Sequence, residues 1–124
     1  MIMEHRLIGE YEKYHNLIIG FDFDNTVCGL NNEIVSKVIF LLQECKKLGF
    51  TLCLYTISAS DEWLAWKVKY CEYFGISPDY VNDSPVLRGD RKPFFNILLD
   101  DRAGLNEAYM CLKNVVNYIQ NHGN

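Results

Sequence analysis

The chain has 124 residues, of which 49% are apolar, and a formal net charge of −4 from 12 basic and 16 acidic side chains. This length fits one domain with one hydrophobic core and leaves no material for a second core. The charges are mixed along the sequence, which excludes a long basic run of the kind that marks a nucleic-acid or anionic-membrane surface. We expect a single domain over residues 1–124, with an N-terminal extension at 1–16 and a core at 17–122.

The five cysteines are scattered, odd in number and without a C-x-x-C pair. This pattern favours buried free thiols in a reducing compartment over a zinc site or a disulfide framework. Acidic residues interrupt the N-terminal segment, and no window reaches the roughly 18 consecutive apolar residues of a membrane span. We therefore expect a soluble, cytoplasmic protein with no membrane partner.

The first core elements are a strand and a helix. Residues 17–23 read LIIGFDF, an apolar run too short for a helix and typical of a strand buried on both faces of a parallel sheet. Apolar residues then recur at helical spacing over 34–48. Asn31 and Asn32 are candidate caps for this helix, and Gly49 ends the pattern.

The alternation repeats in the next segment. Residues 50–56 (FTLCLYT) are rich in β-branched, aromatic and aliphatic side chains and predict a second strand. Ser60 and the two acidic residues after it open a second helix, which runs to about residue 74 and is closed by Gly75.

The remaining elements follow a loop-rich stretch. Residues 75–93 contain three prolines and two glycines and read mostly as loop, with room for a short strand at 80–81. Residues 94–99 (FFNILL) predict another buried strand, and 105–121 predict a last helix. One face of that helix carries Leu105, Ala108, Tyr109, Leu112, Val115, Val116 and Ile119.

Strands that alternate with helices of this length indicate right-handed β-α-β crossovers. We expect a three-layer α/β/α sandwich around a mostly parallel, Rossmann-like sheet. Such sheets bind ligands at the carboxyl ends of their strands. Polar residues follow each strand end here, namely Asp22 and Asp24 after the first strand, Thr56 after the second, and Asp100 and Asp101 after the last.

Four carboxylates at one edge of a sheet repel one another, and a divalent cation relieves that repulsion. Oxygen ligands with several waters suit magnesium, which commonly takes one or two carboxylates together with substrate phosphate. One carboxylate can then attack phosphorus while a second acts as general acid and base. Thr56 can donate a hydrogen bond to a phosphoryl oxygen, and Lys92 can stabilise the nucleophile and the transferring group.

The ordered motifs resemble those of the haloacid-dehalogenase-like (HAD) phosphohydrolases. Residues 22–26 (DFDNT) match the D-x-D-x-T motif that follows a buried strand, and Thr56 matches the hydroxyl residue that ends the next strand. Lys92, followed by a strand that ends in Asp100 and Asp101, matches the third and fourth motifs. The resemblance covers roughly residues 17 to 105.

This resemblance implies a role for each matched residue. Asp22 would be the nucleophile that becomes an aspartyl-phosphate, and its carboxylate would also bind Mg²⁺. Asp24 would be the general acid and base and would offer its backbone carbonyl to the metal. Asp101 would bind the metal directly and Asp100 through water. An acid at position 24 implies hydrolysis of a phosphate ester rather than dehalogenation.

Many members of this family that act on small metabolites carry a cap domain, and this chain leaves no room for one. Residues 26–33 allow only a short flap, and 75–92 are too few for a cap. The resemblance therefore implies an open, capless site. An open site suits a phosphate on a protein, a nucleic-acid end or a polysaccharide, or a cap lent by a partner subunit.

Some residues keep two interpretations. Arg88 and Arg91 are ordinary exposed charges or contacts to substrate phosphate. Trp63 and Trp66 are packing residues of the second helix or a base-stacking platform, of which we favour packing. Asn25 is interpreted as a turn residue whose backbone N–H faces phosphate.

Two other functions remain as alternatives. One is a HAD-fold binding or regulatory module with little turnover. The other is a phospho-acceptor signalling domain of the response-regulator type, whose acid pair follows its first strand, whereas here the acid pair comes last. The helical spacing of Leu7, Ile8, Tyr11 and Tyr14 also lets residues 1–16 pack on the domain or on a second copy.

Overall fold

The structure is a computed structural model that describes residues 2–30 and 32–122. Helices and strands alternate along most of the chain, which confirms the predicted α/β class. The elements are α1 (Ile2–Tyr14), β1 (Ile18–Phe21), α2 (Glu33–Lys47), β2 (Thr51–Leu54), α3 (Asp61–Tyr73), β3 (Tyr80–Val81), β4 (Ile97–Leu99) and α4 (Leu105–His122).

The strands form one sheet in the order β3-β2-β1-β4, and the three strand pairings of this sheet are parallel. Central strand β1 is aligned so that Phe21 lies between Leu54 and Leu99. The all-parallel sheet and the helices are compatible with the predicted three-layer sandwich. This register brings the carboxyl ends of β1, β2 and β4 to one edge.

The strands are shorter than the apolar runs that predict them, and β1 illustrates the reason. The carbonyl of Phe23 accepts hydrogen bonds from the backbone N–H groups of Thr26, Val27 and Cys28. This tight turn begins two residues after Phe21, so the chain leaves the sheet although Phe23 continues the apolar pattern of the strand.

The helix ends follow the predicted signals. Asn32 caps α2 and Ser60 caps α3, each by accepting a backbone N–H of the first turn. Asn31, the other candidate cap, lies outside the described residues. Gly49 and Gly75 adopt φ values of 83° and 75°, the left-handed conformation that ends the preceding helices.

One hydrophobic cluster receives buried side chains from all four helices. Leu7 of α1 is fully buried in it, and the Arg6 guanidinium donates a 3.0 Å hydrogen bond to the carbonyl of Asn96. The segment 2–16 therefore packs on the domain itself. The predicted face of α4 is confirmed, since the cluster contains Leu105, Ala108, Tyr109, Leu112, Val115, Val116 and Ile119.

Gly20 in β1 is covered by the ring of Phe95. A Cβ atom at position 20 would lie 2.6 Å from two atoms of that ring, so only glycine fits. Phe95 in turn makes an edge contact with Tyr55, at 5.5 Å between ring centroids. The ring therefore packs directly against the strand that leads to Asp22.

The connections around the carboxyl edge of the sheet contain little regular structure. Within the described ranges, 22–32 joins β1 to α2 without a further helix or strand, and 74–96 contains only β3. None of the helices described here combines the length and apolar character needed to cross a membrane.

Candidate functional site

A cleft of about 730 Å³ lies at the carboxyl ends of the strands. The backbone N–H of Asp22 donates a 2.9 Å hydrogen bond to the carbonyl of Leu99, which fixes the end of β1 beside the end of β4. The structure brings most of the predicted site residues to this cleft. They are Asp22, Asp24, Thr56, Asp100 and Asp101.

Three of these carboxylates form a compact acidic cluster. Asp22, Asp100 and Asp101 each place one oxygen within 4.8 Å of the others. The pKa of Asp22 is raised from 3.8 to about 6, chiefly by burial. The Phe23 backbone lowers this pKa, and the nearby carboxyl groups of Asp100 and Asp101 contribute to the rise.

The donor set of the cluster fits a hard divalent cation. Its ligand atoms are carboxylate oxygens, which magnesium prefers. Among the described residues, no ion pair neutralises Asp22, Asp100 or Asp101. The cluster therefore retains the charge repulsion that a bound cation would relieve.

Asp24 lies apart from this cluster. Its side chain is 76% exposed, and one carboxylate oxygen is 4.0 Å from the Lys67 ammonium. That position leaves the carboxylate in contact with solvent. The contact of the Asp24 carbonyl with metal stays a prediction, as does the order of Asp100 and Asp101 as direct and water-mediated ligands.

Thr56 is buried at the end of β2, and Asn82 holds it there. The Thr56 backbone N–H donates a 2.8 Å hydrogen bond to Oδ1 of Asn82. Asn82 adopts a φ of 52° just after β3, and its own N–H donates to the carbonyl of Leu54. Sequence reasoning missed Asn82, although an asparagine directly after a short strand is a recognisable left-handed turn signal.

The lysine beside Thr56 is Lys67 of α3, which sequence reasoning also missed. Its ammonium donates 3.0 Å hydrogen bonds to the Thr56 hydroxyl and to the carbonyl of Ile57. Lys67 is 6% exposed. No local signal marks it, because lysines on an amphipathic helix are ordinarily solvent-facing.

Lys92 is not brought to the site. It is exposed and does not line the cleft. Lys92 belongs to a tight turn, in which the Arg88 N–H donates to its carbonyl and its own N–H donates to the Asp90 carboxylate. Arg88 pairs with Asp90 at 3.2 Å, and Arg91 is exposed, so neither arginine lines the cleft.

Two further residues line the cleft. Asn25 is a turn residue as predicted, with a φ of 60°, and its backbone N–H donates a hydrogen bond to the carbonyl of Cys28. Arg102, which sequence reasoning did not single out, lines the cleft beside the acid pair. The backbone N–H of Arg102 donates a 2.9 Å hydrogen bond to the Asp100 carboxylate, and this hydrogen bond orients that carboxylate.

Trp63 and Trp66 are 56% and 48% exposed, less buried than packing residues would be. Trp66 still contacts Phe23 edge-on, at 5.8 Å between ring centroids. The low burial follows from the orientation of α3, which directs Lys67 and Cys71 inward instead.

Comparisons of this chain with protein-family models, with curated proteins and with solved structures found no match. The functional assignment therefore depends on the geometry and chemistry of the cleft.

Proposed function

We propose that this chain is a capless, HAD-type phosphatase that hydrolyses a phosphate monoester with Mg²⁺ and forms an aspartyl-phosphate on Asp22. The observation that carries the proposal is the acidic cluster of Asp22, Asp100 and Asp101 in one cleft with Asp24 and Thr56. A metal-binding set, a separate exposed carboxylate and a hydroxyl donor are the parts that phosphoryl transfer requires.

In the first step, an oxygen of Asp22 attacks phosphorus. The bond between phosphorus and the leaving oxygen breaks, and Asp24 gives its proton to that oxygen. This division of labour follows the resemblance to the HAD motif, and the two carboxylates differ in their surroundings. Asp22 is partly buried among negative charges, whereas Asp24 is exposed to water at the mouth of the cleft.

In the second step, Asp24 takes a proton from water. The resulting hydroxide attacks phosphorus, the bond between phosphorus and the Asp22 oxygen breaks, and inorganic phosphate leaves. Thr56 is placed to hydrogen-bond a phosphoryl oxygen throughout. Ser58 also lines the cleft, and its buried hydroxyl has no partner among the described residues.

Asp22, Asp100 and Asp101 would hold the magnesium ion. When bound, it supplies positive charge that offsets the charge on the phosphoryl oxygens and orients them for in-line attack. The same charge keeps Asp22 deprotonated at neutral pH, against the effect of burial and neighbouring acids on its pKa.

The shape of the cleft supports a large substrate or a chain end. The connections around it contain no second folded unit within the described residues, so a phosphate on a macromolecule can approach from solvent. We therefore propose a phosphate carried by a protein or a nucleic-acid end, with a partner-supplied cap as the other arrangement consistent with an open site.

The test is release of phosphate from p-nitrophenyl phosphate with Mg²⁺, with chelator, and with Asp22→Asn. We expect activity that requires both the metal and Asp22. Asp90→Asn is the matched control, because Asp90 is an exposed acid that does not line the cleft.

Undiminished turnover by Asp22→Asn would contradict the proposed nucleophile. If the wild-type protein is active, a panel of phosphopeptides, 3′- and 5′-phosphorylated oligonucleotides, nucleotides and sugar phosphates then defines the substrate. A preference for the small metabolites in that panel would contradict the macromolecular assignment while leaving the chemistry intact.

A further inference from the structure

Helix α3 places a lysine inside and tryptophans outside. Lys67 is 6% exposed, whereas Trp63 and Trp66 are 56% and 48% exposed. Burying an ammonium group is costly unless it is paired and hydrogen-bonded. This inverted arrangement therefore needs a reason beyond packing.

The hydrogen bonds of Lys67 leave its charge only partly compensated. The ammonium has three donors, and two are used by the neutral oxygens of Thr56 and Ile57 at 3.0 Å. Its nearest described carboxylate is Asp24, at 4.0 Å, which is beyond hydrogen-bond distance. The ammonium also lies 5.3 Å from the centre of the Phe23 ring. The third donor of the ammonium has no hydrogen-bond partner among the described residues. Lys67 itself does not line the cleft, so its charge acts there through its contact with Thr56, which does.

The contact with Lys67 also settles how the Thr56 hydroxyl can act. Because the ammonium donates to Thr56 Oγ, the hydroxyl accepts from that side and keeps its own hydrogen to donate. The carbonyl of Ile57 is a poor acceptor for that hydrogen, since it lies 3.5 Å away and already accepts from Lys67. The hydroxyl hydrogen is therefore free to point at a ligand in the cleft.

We propose that Lys67 is a positioning residue for phosphate. It orients the Thr56 hydroxyl as a donor, and it supplies the positive charge that the sequence analysis predicted for Lys92. This inference rests on the proposed phosphatase function for the identity of the anion. It differs from the sequence assignment in the element that carries the cation, which is α3 and not the segment before β4.

The experiment compares Lys67→Met with Lys92→Met, the matched control at an exposed lysine. We expect Lys67→Met to lower kcat/KM for p-nitrophenyl phosphate about 100-fold, as for loss of one preorganised donor, and to weaken binding of inorganic phosphate about 10-fold by calorimetry with Mg²⁺. Lys92→Met should leave both within about twofold of wild type.

Two further variants keep the test decisive. Lys67→Gln retains a donor without the charge, so it serves if the Met variant does not fold, and it should still weaken phosphate binding several-fold. In a Thr56→Val background, Lys67→Met should cost less than in the wild type, because part of its effect acts through the hydroxyl. Equal costs in the two backgrounds would overturn the positioning role.

The phosphate-binding measurement separates this inference from the proposed function. Turnover by the wild type with phosphate affinity unchanged in Lys67→Met and Lys67→Gln would overturn the role of Lys67 and leave the phosphatase assignment standing. If the wild type shows no turnover but binds phosphate in a way that depends on Lys67, the phosphatase assignment is overturned and the role of Lys67 stands. Absence of phosphate binding by the wild type would overturn the Lys67 inference.

Discussion

An oxygen of the Asp22 carboxylate lies within 4.8 Å of an oxygen of the Asp101 carboxylate at the edge of the sheet. Negative charges this close repel each other, and either a proton or a cation relieves that repulsion. Burial, followed by the negative charges of Asp100 and Asp101, raises the pKa of Asp22 to about 6. A cation at this site would displace the proton, so protons and metal compete for the same oxygens.

The first prediction concerns the pH dependence of metal binding. Above about pH 7, Asp22 is ionised and the affinity for Mg²⁺ should be nearly constant. As the pH falls through about 6, protonation of Asp22 should weaken binding progressively, by up to about tenfold per pH unit. Calorimetric titration of Mg²⁺ between pH 5 and 8 measures this. An affinity that stays constant across that range would contradict the prediction.

The second prediction concerns the stability of Asp22→Asn without metal. The pKa of Asp22 is higher in the folded state than its ordinary value of 3.8, so this carboxylate destabilises the fold as the pH rises from about 4 through 6. Allowing for screening by water, Asp22→Asn should raise the free energy of unfolding by about 1–2 kcal/mol at pH 7.5.

That gain should fade below about pH 4, where Asp22 is protonated in both states. Added Mg²⁺ should reverse the order of stability, because only the wild type binds it fully. Denaturant unfolding with chelator and with Mg²⁺ measures both effects. Lower stability of metal-free Asp22→Asn at pH 7.5 would contradict the prediction.

The third prediction concerns the packing of Phe95 on β1. In Gly20→Ala the new methyl group would meet the ring at 2.6 Å, and we expect a loss of about 1–3 kcal/mol in the free energy of unfolding. Gly9→Ala is the matched control, because nothing lies within 4 Å of that position in α1. It should be neutral or stabilising by up to about 1 kcal/mol. Equal effects would show that the ring does not constrain Gly20.

The fourth prediction concerns Asn82, which supports Thr56. Asn82→Gly keeps the φ of 52° accessible but removes the acceptor of the Thr56 N–H. We expect kcat/KM for p-nitrophenyl phosphate to fall about tenfold, because the loop that carries Thr56 loses its anchor. The control is Asn114→Ala, at an exposed asparagine of α4 away from the cleft. Alanine is used there because a glycine would weaken the helix. A fall of equal size in that control would assign the effect to stability.

Much of the fold was predictable because its signals are local. The apolar runs of β1, β2 and β4 and the periodicity of α2 and α4 predicted these elements, and the structure confirms them. Parallel strands then bring Asp22 and Asp100 to one edge whatever the loops do. This is why the acids of the cleft could be identified from sequence.

Lys67, the lysine that contacts Thr56, could not be identified in the same way. Lys92 is close in sequence to β4, but the turn around Asp90 keeps it exposed. Lys67 reaches Thr56 because α3 packs with Lys67 and Cys71 inward, and the hydrophobic pattern of a helix does not predict that orientation. The placement depends on tertiary packing, which overrides the local pattern.

Asn96 fixes β1 against β4 at the end of the sheet opposite the cleft. Its Oδ1 accepts from the Ile18 N–H at 2.6 Å, and its own N–H donates to the Ile18 carbonyl at 2.8 Å. A slip of one residue between these strands would turn every side chain of one strand to the other face. The register that Asn96 helps to fix at this end continues along both strands to their carboxyl ends. A residue far from the cleft therefore contributes to the placement of Asp22 beside the acid pair.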